Sequence, residues 1–239
     1  MTRLIGAELL KLRTTRAFYS LAGGALAFTI VITLLGTLLE PEEAVLRDVS
    51  QVAFFAQLLV LVIGILCVTN EFRHGTITPT LLVTPDRTRL TIAKLLASML
   101  VGLVIGLTAI CIIALVVALT PKGSAEDAGK FILGGALLGM LYGALGVGVG
   151  AVVRNQVGAI IGALVYLFML ESLVGLIPGV RDVLPKYGIG GTSEALRGSE
   201  SQGDTEFLAQ LPGGLLLALY CALFVLAGIA LIKRRDVTA

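Results

Sequence analysis

Four stretches of this chain, Ala17 to Leu39, Val49 to Asn70, Leu95 to Pro121 and Phe131 to Val153, contain no charged side chain. Each is near or above the roughly 20 apolar residues that carry a helix across a bilayer. In lipid such a run must close its own backbone hydrogen bonds, which leaves the helix as its form. A fifth run starts at Val157 and meets Glu171 before it is long enough, and a sixth covers about Leu208 to Ile232. The fold expected is an all-α membrane protein, one domain over 1–239, with six transmembrane helices at about 17–39, 49–70, 95–120, 131–153, 157–177 and 208–232. Composition agrees, because 56% of the residues are hydrophobic and only 14% charged, whereas soluble domains are about 25% charged.

Charge placement sets the orientation. Met1 to Arg16 mixes Leu4, Ile5, Leu9 and Leu12 with Arg3, Lys11, Arg13 and Arg16, the pattern of a short helix at headgroup level, although Glu8 intrudes on its apolar side. Twelve of the 18 lysines and arginines lie in that segment, in Glu71 to Lys94, at Arg154 and in Lys233 to Arg235, and six lie in the other connections. The bias places both termini in the cytoplasm. The first apolar run exceeds a signal h-region and ends without a small-residue cleavage site, so the N-terminus is expected to stay attached. A net charge of +2 is too small to indicate a nucleic-acid partner.

Gly102 and Gly106, Gly139 and Gly143, Gly146 and Gly150, and Gly158 and Gly162 recur at the four-residue spacing that lets membrane helices approach closely. Spans four and five are therefore expected to be tightly packed. From Glu171 to Phe207 the chain stays apolar as far as Val180, is broken by Pro178, Gly179 and Pro185, and then carries Gly188, Gly190, Gly191, Gly198 and Gly203. This reads as short re-entrant or outer-face elements followed by exposed turns. Glu171 either lines a path within the apolar zone or touches headgroups and water at the end of span five.

Little here supports catalysis. Cys67, Cys111 and Cys221 sit inside apolar runs and read as small fillers, and His74 lacks neighbours to complete a metal site. Gly146, Gly148 and Ala151 have dinucleotide-fingerprint spacing but lie inside a membrane span. Gly123 to Phe131, GSAEDAGKF, has one residue too many for a P-loop and Phe131 where a magnesium-binding hydroxyl is required. No cofactor is expected on this chain.

The connection from Glu71 to Lys94, EFRHGTITPTLLVTPDRTRLTIAK, has a structure of its own. Gly75 ends the preceding helix, Thr76 and Thr78 are possible caps of a new one, Pro79 suits its first turn, Pro85 stops it, and Asp86 caps the next segment. Ile77, Leu81 and Leu82 are read as one apolar side of about two helical turns. Arg73, Arg87, Arg89 and Lys94 surround it, so the stretch looks built to present a rigid knob to another protein.

These residues resemble a family. Glu71, Phe72, Gly75, Thr76, Ile77, Leu81, Leu82, Pro85, Arg87 and Lys94 are similar to the loop between spans two and three of ABC-2 type transporter permeases. Glu8 to Arg16 and Gly146 to Gln156 resemble that family's N-terminal segment and the end of its fourth span. The resemblance implies a cytoplasmic coupling helix, with Arg73 beside it, that docks on an ATP-binding cassette subunit. ATP and Mg would be bound by that separate subunit, and a second copy of this chain would complete the pathway. It also implies a bacterial plasma-membrane exporter of drug-, antibiotic- or lipid-like cargo. Two other classes fit the residues: a membrane anchor or sensor holding a soluble partner through the same loop, and an ion-driven carrier, for which Glu171 is a meagre supply of intramembrane charge.

Overall fold

The computed structural model describes residues 1–39, 50–120, 127–174, 183–199, 201–202 and 205–234. The helices are α1 (Thr2–Thr14), α2 (Arg16–Leu39), α3 (Ala53–Arg73), α4 (Ile77–Val83), α5 (Arg87–Leu119) and α6 (Ala128–Val153). There follow α7 (Gln156–Val165), a π-helical turn (Tyr166–Leu170), α8 (Glu171–Val174), α9 (Leu184–Tyr187), α10 (Ile189–Arg197) and α11 (Gln210–Arg234). Two strands, β1 (Ser201–Gln202) and β2 (Thr205–Glu206), pair antiparallel beside α11 in sequence. Among the described residues, five helices are long and apolar enough to cross a membrane: α2, α3 with its preceding turn, α5, α6 and α11. The fifth run of the sequence is a shorter apolar helix, Gln156–Leu170, and the residues of that expected span from 175 to 177 lie outside the described residues.

The bundle is built around α6, which packs against α5, α3 and α11. Glycines make this possible. A Cβ on Gly139 would overlap the carbonyl oxygen of Gly102, and one on Gly106 would meet Gly139 Cα at 3.0 Å. Toward α3, a Cβ on Gly146 would overlap the Leu61 carbonyl oxygen, and toward α11 one on Gly148 would meet Phe224 Cβ at 2.8 Å. Backbones thus touch on three sides of one helix, the close approach on which dispersion between membrane helices depends. The expected tight packing is found for span four and not for span five: an added Cβ at Gly162 meets nothing within 4 Å, and one at Gly158 meets only Asn155 and Val153. The same spacing has a packing consequence only where a neighbour lies over it. α2 is peripheral, burying just the stripe Ala25, Thr29, Thr33 and Thr37 and exposing Val31, Leu34, Leu35 and Leu38.

Two further expectations change. Within the glycine-rich stretch after Glu171 the residues 189–197 are not exposed turns, since α10 buries Ile189, Gly191, Thr192, Ser193, Ala195, Leu196 and Arg197, while Gly179 and Gly203 lie outside the described residues. Thr76 stands at the start of α4 but makes no side-chain cap there. Asp86 does cap α5, its Oδ1 accepting the N–H groups of Thr88 at 3.0 Å and Arg89 at 3.1 Å.

The packing makes two of the glycines distinguishable. Gly139→Ala should lower the thermal midpoint of the detergent-solubilised protein by several degrees, whereas Gly162→Ala should leave it unchanged or raise it; equal effects would contradict this packing. The Asp86 cap predicts a pH dependence. The Arg89 N–H, with that of Thr88, holds the Asp86 carboxyl below the usual carboxylate range, so the cap's contribution is present in full above about pH 4 and fades as pH falls through the lower folded value. Amide exchange at Thr88 and Arg89 should accelerate in that acidic window, and Asp86→Asn should remove the dependence.

Candidate functional site at the α3 to α5 connection

The path from α3 to α5 is fixed residue by residue. Gly75 turns the chain at φ +65°, a backbone region that side chains disfavour, and the first turn of α4 follows at once. Ile77, only 8% exposed, roots α4 in the bundle. With Leu81 it lines a crevice of about 20 Å³ formed with Val68, Phe72, Leu90 and Ile232. Leu82 is 79% exposed and Val83 85%. The three apolar residues expected on one side are therefore divided: Ile77 faces the chain's own core and Leu82 projects from it. Residues four apart share a helix face, whereas Leu82 is turned well away from Ile77.

Behind α4 the far end of α11 is clamped. Arg87 Nη1 donates to the carbonyl oxygen of Ile232 at 2.7 Å, and Arg154 Nη2 donates to that of Leu231 at 2.7 Å. These carbonyls belong to the last turn of α11, where no intrahelical donor exists and the helix dipole favours cations. Arg154 adopts φ +56° at the C-cap of α6, and its guanidinium lies 5.3 Å from the centre of the Phe72 ring. Arg73 Nη1 reaches Gln156 Oε1 at 2.9 Å and ties α3 to the start of α7. Arg73, Phe72 and Arg87 thus all brace the connection against the bundle. Pro85 is exposed between α4 and the Asp86 cap.

Glu71 belongs to a closed ring of charge. Lys94 Nζ donates to Glu8 Oε2 and to Glu71 Oε1 at 2.7 Å each, and also to the carbonyl oxygen of Cys67 at 3.2 Å. Lys11 Nζ completes the ring to Glu8 Oε1 at 2.7 Å and Glu71 Oε1 at 2.9 Å. The side chains of Lys94 and Glu8 are each 4% exposed. Lys11 titrates above the usual lysine range: burial works against its charge, but the hydrogen bonds to Glu8 and Glu71 prevail. The ring is electrically balanced and joins α1, α3 and α5. Sequence reading missed Glu8 and Lys94 as members, since Glu8 read as a flaw in an amphipathic helix and Lys94 as the end of a loop. Their signal was the acid on the apolar side of α1 and a lysine a full two turns inside α5.

The remaining sequence-predicted residue, Glu171, is far from this corner in the chain and has its own role. Both its carboxylate oxygens accept the N–H of Gly190, at 3.0 and 2.9 Å, capping the first turn of α10 from α8. Nearby, an apolar cavity of about 630 Å³ is lined by residues including Tyr166, Leu167, Tyr187, Tyr220 and Phe224, and Glu171 is not in its lining. α10 is held at its other end by Arg197, 1% exposed, whose Nη2 donates to Gln57 Oε1 of α3 at 2.9 Å and whose Nη1 donates to Glu194 at 2.6 Å.

A family profile described as ABC-2 family transporter protein matches residues 4–170, which include the charge ring, the α3 to α5 connection and the π-helical turn. The chain belongs to this family and is a membrane permease of the ABC transporter class. No individually curated protein matches it.

The ring carries a stability prediction. Lys94→Met removes one member and strands two buried carboxylates on Lys11, a loss of roughly 3–5 kcal/mol by analogy with broken buried pairs. Adding Glu8→Gln leaves the balanced Glu71 and Lys11 pair and should restore much of that loss. A double-mutant cycle on thermal unfolding reads the difference, and simple additivity would show that the ring is not a unit.

Proposed function

We propose that this chain is the membrane-spanning subunit of a bacterial exporter and forms the translocation pathway as a homodimer of six-span units with both termini in the cytoplasm. ATP hydrolysis belongs to a separate ATP-binding cassette subunit, which supplies the ATP and Mg site. The cargo class is drug-, antibiotic- or lipid-like. The observation that carries the reading is α4: a short helix with an exposed apolar tip, Leu82 and Val83, on a base braced by Ile77, Arg87, Asp86 and the charge ring.

In this reading α4 is the coupling helix. Leu82 and Val83 enter a groove on the ATPase, with Thr76, Leu81 and Pro85 along the flank, while Glu71, Phe72, Arg73, Gly75 and Arg87 make the base stiff. Ile77 acts as the root and not as a contact. Closure of an ATP-bound pair of ATPase subunits then moves α4 together with the ends of α3 and α5, which alternates access to the pathway. The work requires that the two conformations bind the nucleotide-loaded partner with different free energies.

Leu82→Asp and Val83→Asp should each weaken association with the cognate ATPase by about 2 kcal/mol or more, roughly thirtyfold, without loss of folded protein, and should abolish ATP-driven solute movement in vesicles holding both subunits. Retained binding in both variants would defeat the assignment.

A further inference from the structure

The apolar cavity beside α7 takes no part in docking through α4. Its floor is α6 through Leu145 and Val149, one wall is α7 through Gly158 and Gly162, and the other is α11 through Tyr220 and Phe224. α7 leans on α3 and α6, and α11 on α6 and α10, which leaves a groove between the two. The glycines of α7 widen it, since a Cβ on Gly162 would meet nothing within 4 Å. At about 630 Å³ the space is of the size of small-molecule sites, roughly 300–1,000 Å³.

Shape and chemistry narrow what it takes. From Gly158 to Leu167 the lining follows α7 for about 14 Å at 1.5 Å per residue, about half of the roughly 30 Å hydrocarbon core. None of the described residues lining it is charged. Toward α10, Gly188 and Ile189 are buried and Tyr220 Oη donates to the Tyr187 carbonyl oxygen at 2.8 Å, so that end is closed and that hydroxyl engaged. At the other end Val153 and Gly158 are exposed and the groove is open.

The open end is cationic. Tyr220, Phe224, Leu231 and Arg234 follow one another at four, seven and three positions, so they share one face of α11. The bond from Arg154 to the Leu231 carbonyl sets Leu231 level with the end of α6, and Arg234 stands about 4.5 Å further along. On the α7 side Arg73 is held by Gln156, a neutral partner that leaves its charge in place. Both arginines, Arg73 and Arg234, are exposed. An apolar slot one leaflet deep with guanidinium groups at its mouth suits an acyl chain joined to an anionic headgroup, as basic pockets between membrane helices do.

We propose that the groove between α7 and α11 is a binding site for one anionic phospholipid, its acyl chain lying on α6 between Gly162 and Phe224 and its phosphate between Arg73 and Arg234. The site lies within one chain, apart from a pathway formed by two, and the lipid is a resident ligand and not cargo. Its chain supplies the dispersion contacts that a bare gap beside α7 would forfeit.

The full-length permease alone, in detergent, tests this with phosphatidylglycerol carrying brominated chains, against phosphatidylcholine with the same chains. The protein has no tryptophan and five tyrosines, of which Tyr166, Tyr187 and Tyr220 line the cavity, so bromine in the groove quenches the intrinsic emission. Quenching by phosphatidylglycerol should saturate near one lipid per chain, and phosphatidylcholine should bind more weakly. Arg234→Gln should lower the phosphatidylglycerol affinity about fivefold and leave that for phosphatidylcholine unchanged. Gly162→Leu, which sends a side chain into the groove, should abolish saturable quenching by both lipids; Val104→Phe, on the exposed face of α5, should not. Equal affinity for the two lipids, or saturable quenching that persists in folded Gly162→Leu, overturns the proposal. If Gly162→Leu does not fold, the comparison of the two lipids on the unmodified chain decides. A Gly162→Cys disulfide between two copies, with no lipid retained, would give the groove to a second copy and overturn it as well. None of these outcomes bears on docking through α4, which the Leu82 and Val83 variants test separately.

Discussion

A charge taken out of water in a chain this apolar must meet opposite charge or hydrogen-bond donors at once, because its desolvation penalty is several kcal/mol. At the α1, α3 and α5 corner four side chains solve this jointly, each carboxylate bonded to both ammonium groups. Such a ring gains little net stability over an apolar core, yet it is strict about geometry. Sliding α1 along α3, or rotating α5, would strand a charge. The result is a corner at which three helices have one permitted arrangement, and α4 is suspended from two of them.

The rest of the bundle supplies rigidity of another kind. Around α6 the glycines bring main chains together, so that the contacts joining α3, α5 and α11 to it are between backbones and not between adjustable side chains. Dispersion at that range is dense, and a helix seated this way has few alternative positions. α7 lacks such contacts: a Cβ on Gly162 would face open space and one on Gly158 would meet only Asn155 and Val153, and α7 borders the 630 Å³ cavity with a π-helical turn at its far end. π-helical turns recur at functional sites, and here one lies where the bundle is least tightly packed.

Much of the architecture was legible because its signals are local. Apolar runs, the Pro85 and Asp86 boundary and the turn at Gly75 each depend on neighbours a few residues away. What escaped reading is non-local. Glu8 and Lys94 are 86 positions apart and Arg197 and Gln57 are 140, so neither pairing leaves a mark in a short window. Five glycines made the α10 region look like turns, although a Cβ on Gly134 of α6 would overlap the carbonyl of Leu196 and one on Gly213 would meet the Ala195 side chain at 2.5 Å. Small residues there serve close packing. Periodicity likewise placed Ile77 with Leu82, when only the fold decides which of the two a neighbour covers.

α3 links these observations mechanically. Its last turn holds Glu71 in the charge ring, and its second turn holds Gln57 against the buried Arg197 of α10. A helix of this length spans about 30 Å at 1.5 Å per residue, and its middle is pressed backbone to backbone on α6 through Gly64. Bending such an element costs internal hydrogen bonds, whereas tilting it about its seat on α6 strains chiefly the polar contacts at its ends. A displacement imposed through α4 at the Glu71 end therefore reaches the Gln57 end as a change in the seat of Arg197. α10 is also bonded to Glu171 on α8, to Tyr142 of α6 through Ser193 and to Gln210 of α11 through the Leu196 carbonyl, so it is anchored on four elements at once. In the proposed reading, these contacts at the end of the bundle away from α4 are the ones that an input from the α4 side would strain.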